Sequence, residues 1–416
     1  MLDFTIFMSW VEFAVRWLHV ITAMAWIGSS FYFIALDLGL NRDIKGPADG
    51  EEWQVHGGGF YHVQKYLVAP SEMPAHLTWF KWESYTTWLS GFALLALVYY
   101  LGAEFYLIDP NIADLRAWQA IALSVASLAF GWIVYDLLCK SKLGEYPQLM
   151  MLALFGVIVG MALFYTSVFT GRAALLHLGA FTATIMSGNV FFIIMPNQRV
   201  VVAELIAGRT PDPKYGKIAK LRSTHNNYLT LPVIFLMLSN HYPLAFGTEY
   251  AWAGACLVFL MGVTIRHYFN TMHARQGRPN WTWAATAVIF LAIIWISTAG
   301  REATAREMTA AELRFAEHPA FEEVAEAVTI RCSMCHAAEP AWAGLYWAPK
   351  GVHLEDPLDI ARHARGIYLQ SGASHAMPPA NLSRMQEDER ALIIAWYRDV
   401  TQGRTPAAAA LSQTDG

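Results

Sequence analysis

Near the C-terminus, Cys332, Cys335 and His336 stand in the order C-x-x-C-H. That spacing puts two thiols and an imidazole on one helical turn, the arrangement that attaches a c-type heme. The thiols would add across the porphyrin vinyl groups, and His336 would become the proximal iron ligand. A zinc site or a redox dithiol is the alternative for a C-x-x-C pair. Zinc would need a second pair, and the other two cysteines, Cys139 and Cys256, lie isolated in apolar runs. The second axial ligand is expected downstream. Met377, in SHAMPPAN, is the first choice, because a thioether raises the iron potential and Pro378 and Pro379 would stiffen its loop. His375 is the rival and would give a lower potential. Met385 reads as a helix-face residue.

A second group of candidates lies inside apolar segments, where ionisable side chains are costly and are functional suspects by default. Glu12, Arg16 and His19 share one face of the first apolar run at i, i+4 and i+7, with Asp37 near its far end. Others are His177, the run His225-Asn226-Asn227, and Arg266 with His267. His19 and His177 hold equivalent places in two similar stretches, LHVITAMAWIGSSFYFIALD from Leu18 and LHLGAFTATIMSGNVFFIIM from Leu176. Brought together, they could ligate a heme b through both axial positions. The alternative is a pair of buried histidines hydrogen-bonded to neighbouring helices. Arg16 would then pair with a heme propionate or an anionic substrate, or simply with Glu12.

The elements that must position these groups are membrane helices. Of 416 residues, 55% are hydrophobic and only 15% charged, where an ordinary soluble protein is about a quarter charged. The net charge of −4 excludes a nucleic-acid partner. Spanning a lipid bilayer takes roughly 20 apolar residues. Eight such segments are expected, near 10–38, 84–103, 117–139, 148–169, 173–195, 224–241, 250–270 and 281–299. With the N-terminus outside, the inner loops hold 14 Lys and Arg residues and the outer loops 2, Arg116 and Arg172. Both termini are therefore expected in the periplasm of a bacterial inner membrane protein, on the side where c-type hemes are attached. No cleavable signal is expected, so the first span would act as its own.

The reading is all-α: a membrane domain over 1–300 built from two four-helix halves, a linker at 301–309, a small helical cytochrome c domain over 310–403, and a disordered tail at 404–416. The halves follow from the repeat around His19 and His177, supported by WESYTTWLS against RSTHNNYLT. The long loop 41–83, containing HGGGFYHVQKYLVAP, is expected to be an ordered cytoplasmic-side cap or an interfacial helix.

RWLHVITAMAWIGSSFYF, HGGGFYHVQKYLVAP and WFKWESYTTWLSG, followed by a C-x-x-C-H domain, together resemble one family over essentially the whole chain. It is the bacterial membrane-bound urate oxidase (urate hydroxylase) family with a fused cytochrome c. The LH…W-x-G pattern of the first span is also similar to protoporphyrinogen oxidase and copper-resistance membrane families, which supports His19 as a heme ligand. The resemblance implies oxidation of urate to 5-hydroxyisourate. Electrons would leave through heme c to a periplasmic cytochrome c or a terminal oxidase, instead of forming peroxide. Urate is an anion, so Arg16, Arg266 and Lys65 are candidates to hold it. Phe80 and Trp82 could stack on it, and Glu83 could act as general base. Two other classes compete. A quinol-oxidising cytochrome b/c protein would need several histidine pairs, and one is found. A transporter or assembly factor with a redox sensor would leave the covalent heme unexplained.

Overall fold

The computed structural model describes residues 3–66, 74–298, 307–343, 345 and 347–404. The linker before residue 307 and the tail beyond 404 lie outside the described residues. Eight long helices form the first part of the chain. The first, α1 (Phe4–Gly39), begins at Asp3, whose carboxylate accepts from the backbone N–H groups of Thr5 and Ile6. Its 36 residues, at about 1.5 Å each, exceed the ~30 Å apolar core of a bilayer. There follow α2 (Trp82–Leu95), α3 (Ala117–Lys140), α4 (Pro147–Thr166), α5 (Gly171–Ile206), α6 (Pro213–Ser239), α7 (Ala251–His273) and α8 (Trp281–Thr298). Wider π-helical turns extend α2 at Ala96–Tyr100 and interrupt α5 at Asn189–Ile194. The fold is all-α, as expected. Among the described residues, six helices are long and apolar enough to cross a membrane: α1, α3, α4, α5, α7 and α8. The other two expected spans are also helical, but α2 is short and α6 opens on the basic stretch PKYGKIAKLR.

Glycines set the closest helix contacts. A Cβ on Gly262 of α7 would lie 2.5 Å from Pro232 of α6, and one on Gly91 of α2 would lie 2.9 Å from the His19 ring of α1. These approaches press α6 on α7 and α1 on α2, which is where several of the candidate side chains stand.

Among the described residues of the loop 41–83 no interfacial helix forms. Residues 50–65 fold as a hairpin of β1 (Gly50–His56) and β2 (Gly59–Lys65), with Val55 opposite Phe60. Gly57 and Gly58, at φ 58° and 80°, supply the two positive φ angles of a tight two-residue turn. The hairpin caps one end of the bundle. Lys65 pairs with Asp37 of α1, and Glu52 lies 3.6 Å from Arg275, just past α7.

Among the described residues, α9 (Ala310–Ala316), α10 (Phe321–His336), α11 (Pro357–Arg362), a single turn at Ala364–Ile367 and α12 (Glu387–Gln402) enclose a core of their own around Phe315, Val328, Tyr368 and Trp396. This domain docks on the opposite end of α1. Asp3 accepts from the Tyr368 hydroxyl at 2.6 Å and from Arg398 at 2.8 Å, and Glu12 lies 3.4 Å from Arg365.

Candidate functional site

The C-x-x-C-H run occupies the last turns of α10. His336 Nδ1 lies 2.8 Å from the Val352 carbonyl oxygen. A carbonyl can only accept, so Nδ1 carries the proton and Nε2 presents its lone pair, the form an iron ligand needs. The His336 carbonyl in turn accepts from Leu354 N–H at 2.7 Å. Burial, with smaller contributions from Cys335 and Glu389, pushes the Cys332 thiol up to about 12. That is the reverse of the acidic thiol a redox dithiol requires. Among the described residues, no three His, Cys, Asp or Glu side chains converge as a metal site, which weighs against zinc. Arg331 ties α10 to α12 through Glu389 at 2.9 Å.

Met377 is half-buried on the loop that returns toward α12. Its N–H donates to Gln370 O at 2.8 Å, and its carbonyl accepts from Arg390 at 3.0 Å. Arg390, itself buried, also donates to the Ser371 carbonyl, so one guanidinium holds both sides of the loop. His375 is exposed, and Met385 belongs to the domain core at 2% exposure. Two thiols, a lone-pair imidazole and a thioether on a pinned loop are a donor set that fits a c-type heme. His363 was not singled out from the sequence. Its Nδ1 is held by the Asp359 carbonyl at 2.8 Å, again freeing Nε2. Burial foremost, with Arg362 and then His336 adding to it against the opposing Asp359, keeps it below the usual imidazole value.

In the bundle, the repeat-related histidines have different surroundings. His19 Nδ1 lies 3.0 Å from the Thr87 carbonyl, which leaves Nε2 with its lone pair. His177 is fully buried and has both nitrogens engaged, Nδ1 with Ala173 O at 2.7 Å and Nε2 with Ser124 Oγ at 2.8 Å. The rings of Tyr99, Tyr165 and Phe169 close around it. For His177 to ligate a heme b iron, as the sequence led one to expect, its Nε2 would have to give up the Ser124 bond, whereas His19 has Nε2 without a partner among the described residues.

The three expected anion holders also separate. Arg16 is 2.7 Å from Glu12, and Lys65 pairs with Asp37, which Lys220 approaches to 2.8 Å. Arg266 is different. It is 5% exposed, donates through Nε to Asn227 Oδ1 at 3.2 Å and through Nη2 to Asn270 Oδ1 at 3.0 Å, and lies 4.1 Å over the Phe31 ring. Among the described residues, no carboxylate is within ion-pair distance of it. Of the loop candidates, Phe80 packs edge-on against Phe33 at 4.8 Å and Trp82 is exposed. Glu83, in the first turn of α2, has a buried Oε2 without a hydrogen-bond partner among the described residues.

Beside this lies a second buried network. Tyr135 Oη is 2.8 Å from His225 Nδ1 and accepts from Asn189 Nδ2 at 3.0 Å, while Arg222 pairs with Asp136 at 2.7 Å. Asn189 opens the π turn of α5, which points it at both α3 and α6. His225, Asn226, Asn227 and Arg266 were visible in the sequence. Asp136 could have been found as a charge in an apolar run, whereas nothing in the sequence marks the π turn.

Residues 5–297 match the family described as urate oxidase N-terminal. The chain belongs to the urate oxidase N-terminal family. The urate oxidase match takes in α1, the hairpin and the helices into α8, so it contains every bundle residue named above. The domain from α9 onward lies outside it. Family membership points to an oxidoreductase acting on urate, and the six apolar helices are compatible with a membrane protein. No curated protein and no solved structure matches the chain.

Proposed function

We propose that this urate oxidase relative oxidises urate to 5-hydroxyisourate in a bilayer-embedded bundle and delivers the electrons to a covalent c-type heme. Cys332, Cys335, His336 and Met377 are the residues that would hold the heme. The observation that carries the reading is the joining of a urate oxidase family region to a C-x-x-C-H turn whose His336 has its iron-binding nitrogen free. Urate and water give 5-hydroxyisourate, two protons and two electrons. When bound, the heme supplies a one-electron acceptor that is used twice per turnover. A periplasmic cytochrome c or a terminal oxidase then removes each electron. The chain's own residues do the positioning. Val352 orients His336, Arg390 fixes the Met377 loop, and Glu83, with a buried unpartnered oxygen, is the proton acceptor. The excess of Lys and Arg in the loops at the hairpin end supports an orientation with that end in the cytoplasm and the C-terminal domain in the periplasm of an inner membrane. The alternative, a quinol-oxidising cytochrome b/c protein, would need His177 to exchange its Ser124 hydrogen bond for iron, and the family match favours urate over it.

The test is aerobic turnover of the purified protein with urate and excess ferricytochrome c. Two ferricytochromes reduced per urate, with no peroxide, is the expected result. One peroxide per urate, unchanged in Cys332→Ala, would mean direct reaction with dioxygen and would remove the heme from the reaction.

A further inference from the structure

We propose that the seam between α1, α6 and α7 is the site that binds the planar urate anion, with Arg266 as its cationic anchor; this assignment rests on the urate reading above.

Arg266 is an intramembrane cation that is 5% exposed and has no carboxylate within ion-pair distance among the described residues. Its neighbours are neutral: Asn227, Asn270 and the Phe31 ring. A buried charge without a counter-ion is expensive. The obvious way to supply one is a ligand. Asn227 reinforces the case. It is fully buried, and its Oδ1 accepts twice, from Arg266 at 3.2 Å and from Asn270 at 2.9 Å. Its Nδ2 therefore faces away from both, and it finds no acceptor among the described residues. His273 Nδ1, two turns beyond Arg266 on the same α7 face, is likewise buried without a partner. The seam thus offers a guanidinium fork, an amide donor and an adaptable imidazole.

Urate's complement is a flat ring edged with carbonyl oxygens and a delocalised negative charge. A planar guanidinium pairs with such an edge through two parallel hydrogen bonds. Phe31 already supplies one flat wall, and the guanidinium lies across it. The Gly262–Pro232 contact, one turn from Arg266 on α7, fixes α7 against α6 at this depth. The hairpin, tied to α1 by Lys65–Asp37 and to the end of α7 by Glu52–Arg275, covers the same end of the bundle. The ligand would therefore enter from the hairpin end.

The decisive variant is Asn227→Asp. It keeps the acceptor oxygen and the shape, removes the Nδ2 donor, and supplies the carboxylate that Arg266 lacks. It should fold at least as well as the parent, because it pairs a buried charge. The measurement is equilibrium dialysis of radiolabelled urate against the full-length holoprotein in detergent, with inorganic phosphate as competitor. Asn227→Asp and Arg266→Gln should each weaken urate binding by about tenfold or more, the loss of a buried charged contact. Arg266→Lys, which keeps the charge but loses the fork, should be intermediate. Equimolar phosphate should displace little urate. Unchanged urate affinity in Asn227→Asp would overturn the assignment and leave the urate reading standing. Equal displacement by phosphate would overturn it in favour of a general anion or lipid-headgroup site. If the parent protein itself binds no urate, this inference and the proposed function both fail.

Discussion

His177 and Arg266 are both buried polar residues in apolar helices, and their neighbourhoods differ in kind. Around His177, in the α3–α5 seam, each donor has an acceptor and aromatic rings seal the remainder. Around Arg266, in the α1–α6–α7 seam, a cation lacks its anion and the Asn227 and His273 side chains keep unused polar atoms among the described residues. Buried polar atoms are normally paired, so a cluster of exceptions requires a cause. The first seam is a structural joint. The second has the deficits of a binding site. The Arg222–Asp136 pair provides an internal control, as a charge of the same type at a similar burial with its partner present.

The difference can be broken or sharpened by substitution. The largest effect is expected outside both seams, where Cys332→Ala or Cys335→Ala should abolish covalent heme, read by heme staining of the denatured protein. Normal staining would refute the attachment site. Within the bundle, Asp136→Asn should cost about 3 kcal/mol in detergent unfolding, because it strands the buried Arg222. Arg266→Gln, which loses hydrogen bonds to Asn227 and Asn270 but strands no charge, should cost clearly less, and equal losses would erase the distinction between the two arginines. His177→Phe should lose only its hydrogen bonds, about 1–2 kcal/mol, and leave the visible spectrum unchanged. If it removes a b-type band, His177 is an iron ligand after all. Met377→Ala should lower the heme midpoint potential, and an unmoved potential would pass the ligand role to His363 or His375.

The smallest effect concerns docking of the C-terminal domain. Burial opposes ionisation of Asp3, but Tyr368, the Ile6 N–H and Arg398 outweigh it and hold the carboxyl below its ordinary 3.8. A depressed carboxylate stabilises the folded form above its unfolded value, and that contribution disappears as pH falls through the folded value. The difference in unfolding temperature between the parent and Asp3→Asn should therefore be full at neutral pH and shrink as pH falls below the ordinary carboxylate value. A difference that does not change with pH would mean Asp3 acts by shape alone.

Much of this was legible in the sequence. The C-x-x-C-H turn is marked by its spacing, and the apolar runs locate the helices, although α5 runs on to Ile206 and α6 begins at Pro213, each 11 residues beyond the apolar stretch. The cap over 41–83 was anticipated but its form was missed, since the strand signal in EWQVH-GG-GFYHVQ is short and the Gly-Gly turn is its strongest element. The candidate anion site was only partly visible. Arg266 stands out as a charge in an apolar run, but its lack of a counter-ion depends on which helices meet it. Arg16 looked equivalent until Glu12 and Arg365 were placed beside it. His19 and His177 match in sequence because the helices match. They differ in role because Ser124, the hydroxyl that occupies His177, comes from a third helix.

Phe31, beside Arg266, and Glu12, which meets the heme domain, are 19 residues apart on α1, or about 28 Å. Electron delivery across that span is the central claim, and anaerobic addition of urate to the purified oxidised protein tests it most directly. Reduction of the c-type heme, with two hemes reduced per urate consumed, is the predicted result. A heme that stays oxidised with urate but is reduced by a quinol would contradict it.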